Sequence, residues 1–247
     1  MSEEPDKIKT IDTKQPKHST YKHLLFDLDR TLWDFDANSK EAIVEIYDHF
    51  QLYYYIRNFE VFLAKYRTIN ERLWLAYRNR EVTKQELVDQ RFYLAFRSFG
   101  YDTIEAGREA GQMYLELSAR KTHLFPGAKE TLAYLADHYA IHILTNGFKA
   151  VQEGKVENCG LTPYVTNLIT SDDAGFQKPD KRIFDYAFEI IGTSPKECLM
   201  IGDDEKTDIK GAQNAGVDYI WFNPKKYASA IENRLTVSEL SELVQLL

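Results

Sequence analysis

Short polar groups of acidic, hydroxyl and lysine residues occur in this sequence where apolar runs end. The first group directly follows the apolar stretch HLLF. In chain order the groups are Asp27, Asp29 and Thr31; Thr145, Asn146 and Gly147; Lys178 and Pro179; and Gly202, Asp203, Asp204 and Asp208. Clustered carboxylates repel one another unless a cation compensates them, and oxygen ligands suit Mg²⁺. The groups therefore predict a Mg²⁺ site, provided that the fold brings them together.

The chemistry that these residue types allow is phosphoryl transfer. A carboxylate can attack phosphorus and form an aspartyl-phosphate. A second carboxyl group can protonate the leaving oxygen and then deprotonate the incoming water. Because side chains two residues apart point to the same side of an ideal strand, Asp27 and Asp29 can divide these two tasks. Lys178 would neutralise a phosphoryl group, while Thr145 and Asn146 would donate hydrogen bonds to its oxygens.

The elements that must position these groups alternate along the chain. Apolar runs predict strands at 22–28, 139–145, 166–170, 197–202 and 218–222, and helical spacing predicts helices at 128–138, 148–160, 180–192, 208–216 and 237–246. The last helix is expected to open with a capping box of Thr236 and Glu239. Strands that alternate with helices predict a Rossmann-like parallel sheet flanked by helices. Ligands of such sheets bind at the carboxyl ends of the strands, where the polar groups lie.

Residues 37–122 interrupt this alternation, because their apolar residues follow helical spacing only. They predict an inserted α-helical bundle of about four helices, which would form a cap. The aromatic residues of this segment, with Trp74 and Tyr53 to Tyr55, are interpreted as bundle core, and the alternative is that one or two of them face the active site. The predicted division of the chain is a flexible tail at 1–20, a catalytic core at 21–36 and 123–247, and the helical cap at 37–122.

The composition is that of an ordinary globular chain, with 247 residues, 44% hydrophobic and 28% charged. A net charge of −7 disfavours a nucleic-acid polymer as a partner. No apolar run approaches the roughly 20 residues of a membrane span, and the polar N-terminus has no apolar segment typical of a secretory signal. Together with only two cysteines, these features predict a cytoplasmic protein that acts on a small molecule as a monomer or homodimer.

The polar groups, in this order, resemble the motifs of the haloacid dehalogenase (HAD) superfamily, and the resemblance covers residues 22 to 247. It implies that Asp27 is the nucleophile. It also implies that Asp29 is the general acid/base and gives its backbone carbonyl to Mg²⁺. Asp203 is implied as a further Mg²⁺ ligand, so the metal set is Asp27, Asp29 and Asp203.

The same resemblance assigns the remaining polar residues. Thr145 would hold the phosphate, and Lys178 would stabilise both the nucleophile and the phosphate. Asp208 would position a metal-bound water or Lys178, and Asp204 is a weaker candidate for sharing the metal. The helical insertion resembles the cap that this superfamily places after its first motif.

A narrower resemblance concerns the substrate. The stretch DLDRTLWDFDANSKEA, the helical cap and TNGF are similar to the HAD pyrimidine 5′-nucleotidases. The implied function is a Mg²⁺-dependent phosphatase of pyrimidine nucleoside monophosphates. Phosphatases of other small metabolites, such as a sugar phosphate or phosphoglycolate, remain open, as does a phosphomutase.

Two further alternatives use similar residues for other purposes. A haloacid dehalogenase needs the nucleophilic aspartate but neither a second acid nor a metal, so Asp29 and Asp203 argue against it. A phosphorylatable receiver domain also uses Asp, Mg²⁺, Thr and Lys. Receivers are far shorter, however, and a helical bundle inserted after the first strand does not suit them.

Overall fold

A parallel sheet forms the centre of the computed structural model, which describes residues 21–228 and 235–247. Its strands are β1 His23–Phe26, β2 Ala140–Thr145, β3 Asn167–Thr170, β4 Cys198–Gly202, β5 Asp218–Phe222 and β6 Thr236–Val237. Their order across the sheet is β3-β2-β1-β4-β5-β6, and every neighbouring pair is parallel. Strand β1 is therefore central, between β2 and β4. The tail predicted at residues 1–20 lies outside the described residues.

Four long helices separate β1 from the rest of the sheet. They are α1 Phe35–His49, α2 Phe59–Arg78, α3 Lys84–Arg97 and α4 Ile104–Arg120. Their apolar faces form a hydrophobic cluster that is separate from the clusters on the sheet. Helices α3 and α4 pack closely because Gly107 and Gly111 leave room for the α3 backbone, and a Cβ at either glycine would collide with Tyr93 or Val88. We call residues 35–120 the helical insertion.

Helix α1 begins at Phe35, where the Asp34 side chain accepts a hydrogen bond from the Ala37 amide at 3.1 Å. The first insertion helix thus starts before the predicted boundary at 37. The division of the chain into core and cap at 37 and 122 stays a prediction.

The remaining helices cover both faces of the sheet. They are α5 Ala128–Ala136, α6 Lys149–Asn158, α7 Ser171–Ala174, α8 Lys181–Ile191, α9 Lys210–Ala215 and α10 Leu243–Leu246. Alternation along β1 sends Leu24 and Phe26 into one hydrophobic cluster with Leu132 of α5. It sends Leu25 into the opposite cluster with Ile183 of α8. The predicted α/β fold, a Rossmann-like sheet flanked by helices, is confirmed.

The C-terminal segment differs from its prediction. Thr236 and Val237 do not open a helix but form the edge strand β6, and the Asn223 amide donates to the Val237 carbonyl at 2.7 Å. Two β-branched residues suit an extended edge, and Val237 is buried there. The capping box consists of Glu239 and Glu242 instead, so helical structure starts only at Leu240.

The helix predicted at 208–216 begins earlier than expected. The chain leaves β4 and forms one wide π-helical turn over Glu205–Ile209, which leads into α9. The Asp204 side chain begins this turn by accepting a hydrogen bond from the Lys206 amide at 2.7 Å. The turn places Asp208 in the interior, with 1% of its surface exposed.

No helix within 21–228 and 235–247 combines the length and the apolar character that a bilayer crossing requires.

A buried histidine on β2 predicts a pH-dependent contribution to stability. His142 is 1% exposed, and its ring nitrogens lie 3.1 Å from His23 Nδ1 and 3.0 Å from Asn167 Nδ2. Burial, aided by His23, lowers the pKa of His142 to about 4. Because the unfolded chain binds this proton more tightly, the contribution is complete above about pH 6.5 and is lost as the pH falls towards 4. Between pH 7.5 and 5 the loss is roughly 2 kcal/mol.

The variant His142→Gln can make both hydrogen bonds without titrating. We expect its unfolding free energy to fall by roughly 2 kcal/mol less than that of the wild type between pH 7.5 and 5. Urea unfolding at the two pH values measures this difference. His138→Gln, at an exposed position just after α5, is the control and should follow the wild type. Identical pH profiles for His142→Gln and the wild type would contradict the assignment.

Candidate active site

Asp27 directly follows the last residue of β1 and therefore lies at the carboxyl edge of the sheet. The Asp27 amide continues the ladder to β4 by donating to the Ile201 carbonyl at 2.9 Å. Since β1 lies between β2 and β4, Thr145 at the end of β2 and Asp203 just after β4 flank Asp27. The Asp27 side chain is nearly buried, with 7% of the residue exposed.

Asp27, Asp203 and Asp208 form an acidic cluster. Each offers a carboxylate oxygen, and these oxygens all lie within 4.8 Å of one another. The Thr31 hydroxyl donates to Asp203 at 3.3 Å, and the Trp221 indole donates to the Asp203 carbonyl at 2.7 Å.

Gly202 is required for the approach of Asp208 to this cluster. A Cβ at Gly202 would collide with the Asp208 carboxylate, so only glycine fits between β4 and the wide turn. The Asp204 amide donates to Asp208 Oδ2 at 3.0 Å, which orients that carboxylate.

Lys178 joins two members of the acidic cluster. Its ammonium lies 2.7 Å from Asp27 Oδ1 and 2.7 Å from Asp208 Oδ1, and it donates to the Leu144 carbonyl at 2.6 Å. Lys178 is 1% exposed, so it is no solvated surface lysine. Burial by itself would lower the pKa of Lys178, but Asp208 and Asp27 outweigh burial and raise this pKa.

The charges of the cluster do not balance, because one ammonium faces three carboxylates. Burial, opposed by Lys178, raises the pKa of Asp27 to about 7. Burial and the neighbouring carboxylates, first Asp208 and then Asp27, raise the pKa of Asp203 well above its ordinary range. Both shifts reflect a site that favours additional positive charge. Hard oxygen donors at this spacing fit a divalent cation such as Mg²⁺. Both oxygens of Asp208 already have partners, which leaves Asp27 and Asp203 with the freer oxygens.

Asp29 does not join the acidic cluster. Strand β1 ends at Phe26, and the chain then turns, with Arg30 at a φ of 67°. Asp29 thus lies beyond the end of β1, and the side-chain alternation of an ideal strand does not set its direction. Its carboxylate lies 2.5 Å from the Lys155 ammonium and accepts a hydrogen bond from Gln152 at 2.9 Å.

Lys155 and Gln152 are site residues that the sequence analysis missed. Lys155 is 3% exposed, and its ammonium lies 3.8 Å from the centre of the Trp33 ring. Gln152 also donates to the Thr145 hydroxyl at 2.7 Å. The signal available in the sequence was the Gln-x-x-Lys spacing on α6, which puts both side chains on one helix face directly after Thr145-Asn146-Gly147.

The phosphate-binding candidates have different surroundings. The Thr145 oxygen accepts from Gln152 and from the Gly147 amide at 3.0 Å, so its own hydroxyl proton remains available for a ligand. The Asn146 side chain instead connects the loop after β2 to the backbone of Lys178. It donates to the Lys178 carbonyl at 3.0 Å and accepts from the Lys178 amide at 2.7 Å. A phosphate contact of Asn146 stays a prediction, whereas its contact with Lys178 positions that lysine.

Asp204 lies at the same edge but is not part of the acidic cluster. Its side chain accepts from the Lys206 amide and begins the wide turn. A role in metal binding stays a prediction for Asp204.

A cleft of about 540 Å³ opens above the acidic cluster, and we call it the main cleft. Its floor includes Asp27, Thr145 and Lys178, and its opposite wall includes Asn70 and Trp74 of α2. The helical insertion therefore covers the site from above. A ligand held at the sheet edge would contact both parts of the chain.

The sheet order, the helical insertion after β1 and the lysine buried among carboxylates define a Rossmann-like α/β hydrolase with its site at the carboxyl edge. The family model described as haloacid dehalogenase-like hydrolase matches residues 21–216. The chain belongs to the haloacid dehalogenase-like hydrolases.

Relatives extend this similarity over most of the chain. It is 35% identical over 206 residues to the pyrimidine 5′-nucleotidase PynA of Streptococcus pneumoniae, covering 83% of this chain and 84% of PynA. It is 32% identical over 227 residues to the pyrimidine 5′-nucleotidase YjjG of Escherichia coli, covering 91% and 96%. The crystal structure of YfnB from Bacillus subtilis bound to magnesium is similar, with a TM-score of 0.83 and 33% identity. It covers 91% of this chain and 97% of that one.

Proposed function

We propose that the protein is a Mg²⁺-dependent phosphomonoesterase that acts through an aspartyl-phosphate on Asp27, and that its substrates are pyrimidine nucleoside 5′-monophosphates. The observation that carries the proposal is the buried contact of Lys178 with Asp27 inside the acidic cluster. It gives a nucleophilic carboxylate and a cation for the phosphoryl group in one place. The names of PynA and YjjG support the nucleotide as substrate.

The first half of the proposed reaction forms the phosphoenzyme. A carboxylate oxygen of Asp27 attacks phosphorus, and the bond between phosphorus and the leaving oxygen breaks. Lys178 and the Thr145 hydroxyl stabilise the charge on the phosphoryl oxygens. Bound Mg²⁺, held by Asp27, the Asp29 carbonyl and Asp203, would supply further positive charge beside these oxygens.

Asp29 supplies the proton for the leaving oxygen. In the structure the Asp29 carboxylate contacts the Lys155 ammonium at 2.5 Å. In the second half it takes a proton from water, which attacks phosphorus, and the bond to Asp27 breaks.

A second candidate is a phosphatase of another small metabolite, such as a sugar phosphate or phosphoglycolate. Basic side chains around the main cleft favour it, because they suit substrates with a second negative group. They are Arg30, Arg67, Arg78 and Lys225.

Phosphate release from a substrate panel tests the proposal. The panel contains dUMP, UMP, dTMP, AMP, GMP, sugar phosphates and phosphoglycolate, each with Mg²⁺ and with EDTA. We expect release with Mg²⁺ that favours pyrimidine nucleotides and falls at least about 100-fold in EDTA. Preference for a sugar phosphate would keep the mechanism and reject the substrate. A haloacid is assayed in parallel for halide release, and halide release without any phosphate release from the panel would reject both the mechanism and the substrate.

A further inference from the structure

A second, smaller cavity lies beside Asp29, between α6 and the helical insertion, and we call it the inner pocket. Its volume is about 50 Å³. Asp29, Asn70 and Trp74 line both the inner pocket and the main cleft, so the two spaces adjoin. The acid/base proposed above must contact the leaving oxygen. The leaving group therefore lies on the side of the site where the inner pocket opens.

Buried polar atoms without partners gather at this pocket. Within 21–228 and 235–247, five buried side-chain atoms lack a hydrogen-bond partner. Three of them, Asn70 Oδ1, Arg91 Nε and Gln152 Oε1, belong to residues that line the inner pocket. A buried polar group without a partner is costly, so such groups are rare unless a ligand or water meets them. Three such atoms on the residues around one cavity favour a hydrogen-bonding ligand or an ordered water at this place.

Arg91 is the most unusual of the three. It is 2% exposed, and its guanidinium donates to the Gly111 carbonyl at 3.2 Å and lies 4.5 Å from the centre of the Tyr114 ring. No carboxylate in the described part of the chain forms an ion pair with it. A buried charge without a counter-ion favours a strong hydrogen-bond acceptor on the ligand.

The other two atoms require a donor. Gln152 uses its amide nitrogen on Asp29 and Thr145, which leaves Oε1 as an acceptor. Asn70 Oδ1 is a second acceptor, on a residue that is 9% exposed. A ligand group that satisfies this set presents a carbonyl oxygen and an N–H side by side. A carboxylate would suit Arg91 but would be repelled by both amide oxygens.

The wall of the pocket is aromatic. Trp74 and Phe148 stack with their centroids 5.2 Å apart and an interplanar angle of 28°. This pair joins α2 of the insertion to the N-terminal end of α6, and both aromatic residues line the inner pocket. The small volume suits the edge of one ring better than a bicyclic purine.

We propose that the inner pocket is the subsite for the base of the leaving nucleoside and that it selects the imide edge of uracil or thymine. Arg91 donates to a carbonyl oxygen of the base, and the N–H of the imide faces the acceptors Asn70 and Gln152. In the same pose cytosine turns an unprotonated ring nitrogen towards these two acceptors, so it loses the hydrogen bond that the imide N–H makes and is repelled there. The inference rests on the proposed function, which it deepens by assigning the residues that recognise the substrate.

The test compares substrates with and without the base. We would measure kcat/KM for dUMP, dCMP and ribose 5-phosphate in the wild type and in Asn70→Leu, Arg91→Met and Arg91→Lys. The wild type should prefer dUMP to dCMP. In Asn70→Leu and Arg91→Met the ratio of dUMP to ribose 5-phosphate should fall about 10- to 100-fold, mainly through KM. The ratio is independent of the folded fraction, so a loss of stability in the Arg91 variants does not affect it.

Arg97→Met is the matched control, because Arg97 lies on the same helix, α3, with an exposed side chain. It should keep the wild-type ratio. Arg91→Lys retains the charge but loses the Nε donor, so it should also lower the ratio.

The outcomes separate the two proposals. Nucleotide hydrolysis with an unchanged ratio in Asn70→Leu and Arg91→Met would reject the subsite and keep the proposed function. It would mean that the pocket holds only water. A wild-type preference for dCMP, or for phosphoglycolate with loss of that preference in Arg91→Met, would also overturn the subsite. If no phosphomonoester is hydrolysed, the proposed function fails. Stabilisation by free deoxyuridine that is lost in Asn70→Leu would still support the pocket.

Discussion

Replacement of Asp27 by asparagine should lower turnover by about 10⁴-fold or more, because an amide is a poor nucleophile at phosphorus. No phosphoenzyme should accumulate, since the bond between Asp27 and phosphorus is the proposed intermediate. The side chain keeps its size, so the fold should persist. Phosphate release, together with mass spectrometry of acid-quenched protein, measures both effects.

Asp172→Asn is the matched control for Asp27→Asn. Asp172 directly follows the same sheet edge, but its carboxylate contacts Lys84 at 2.6 Å and the Lys149 amide at 3.0 Å. Its loss should change kcat/KM by no more than about threefold. Near-native turnover of Asp27→Asn would contradict the covalent mechanism. An equal loss of turnover in Asp27→Asn and Asp172→Asn would show that activity depends on the carboxylates of this edge in general and not on Asp27 as the nucleophile.

The variant Lys178→Met should lose both activity and stability. Its activity should fall about 10²- to 10³-fold, because a cation beside the phosphoryl group is removed. It should also unfold more easily by about 3–5 kcal/mol, because three clustered carboxylates, two of them buried, then face one another without a cation. Kinetics and urea unfolding in Mg²⁺-free buffer measure the two losses. Added Mg²⁺ should restore more stability to Lys178→Met than to the wild type.

Two further variants separate charge from packing in this prediction. In Lys178→Met combined with Asp208→Asn, one negative charge is removed, so stability should recover in part while activity does not. Lys181→Met removes an exposed lysine three residues away, whose partner is Asp185 at 2.6 Å. It should change stability by less than about 0.5 kcal/mol. Unaltered stability of Lys178→Met would show that the acidic cluster does not depend on this lysine.

Much of the fold was predictable because local pattern and tertiary environment agree in the sheet. The residues of β1 are apolar on both sides, which is typical of a central parallel strand, and the structure buries Leu24 and Leu25 on opposite faces. The C-terminal edge was less predictable. Thr236 has the chemistry of a helix cap, yet pairing with β5 outweighs that local preference.

In the candidate site, too, some positions were predictable from the sequence and others were not. Asp27, Thr145 and Asp203 end strands or follow them directly, so the parallel order of the sheet was enough to predict that they meet. Asp29 lies beyond the end of its strand, and its direction depends on a turn and on Lys155 of α6. The Gln-x-x-Lys spacing on α6 indicates a shared helix face, but it does not identify Asp29 as the partner of that face.

The sequence by itself determined the α/β class, the family resemblance and the residues that gather at the carboxyl edge, because each depends on local periodicity or on motifs at strand ends. Only the tertiary structure decided which charges pair inside the acidic cluster and where Asp29 lies. It also decided that Asn70 and Arg91 of the insertion meet Gln152 of the core at one pocket. These relations depend on how α2, α3 and α6 pack in three dimensions, and packing between distant segments is not encoded in the spacing of any one of them.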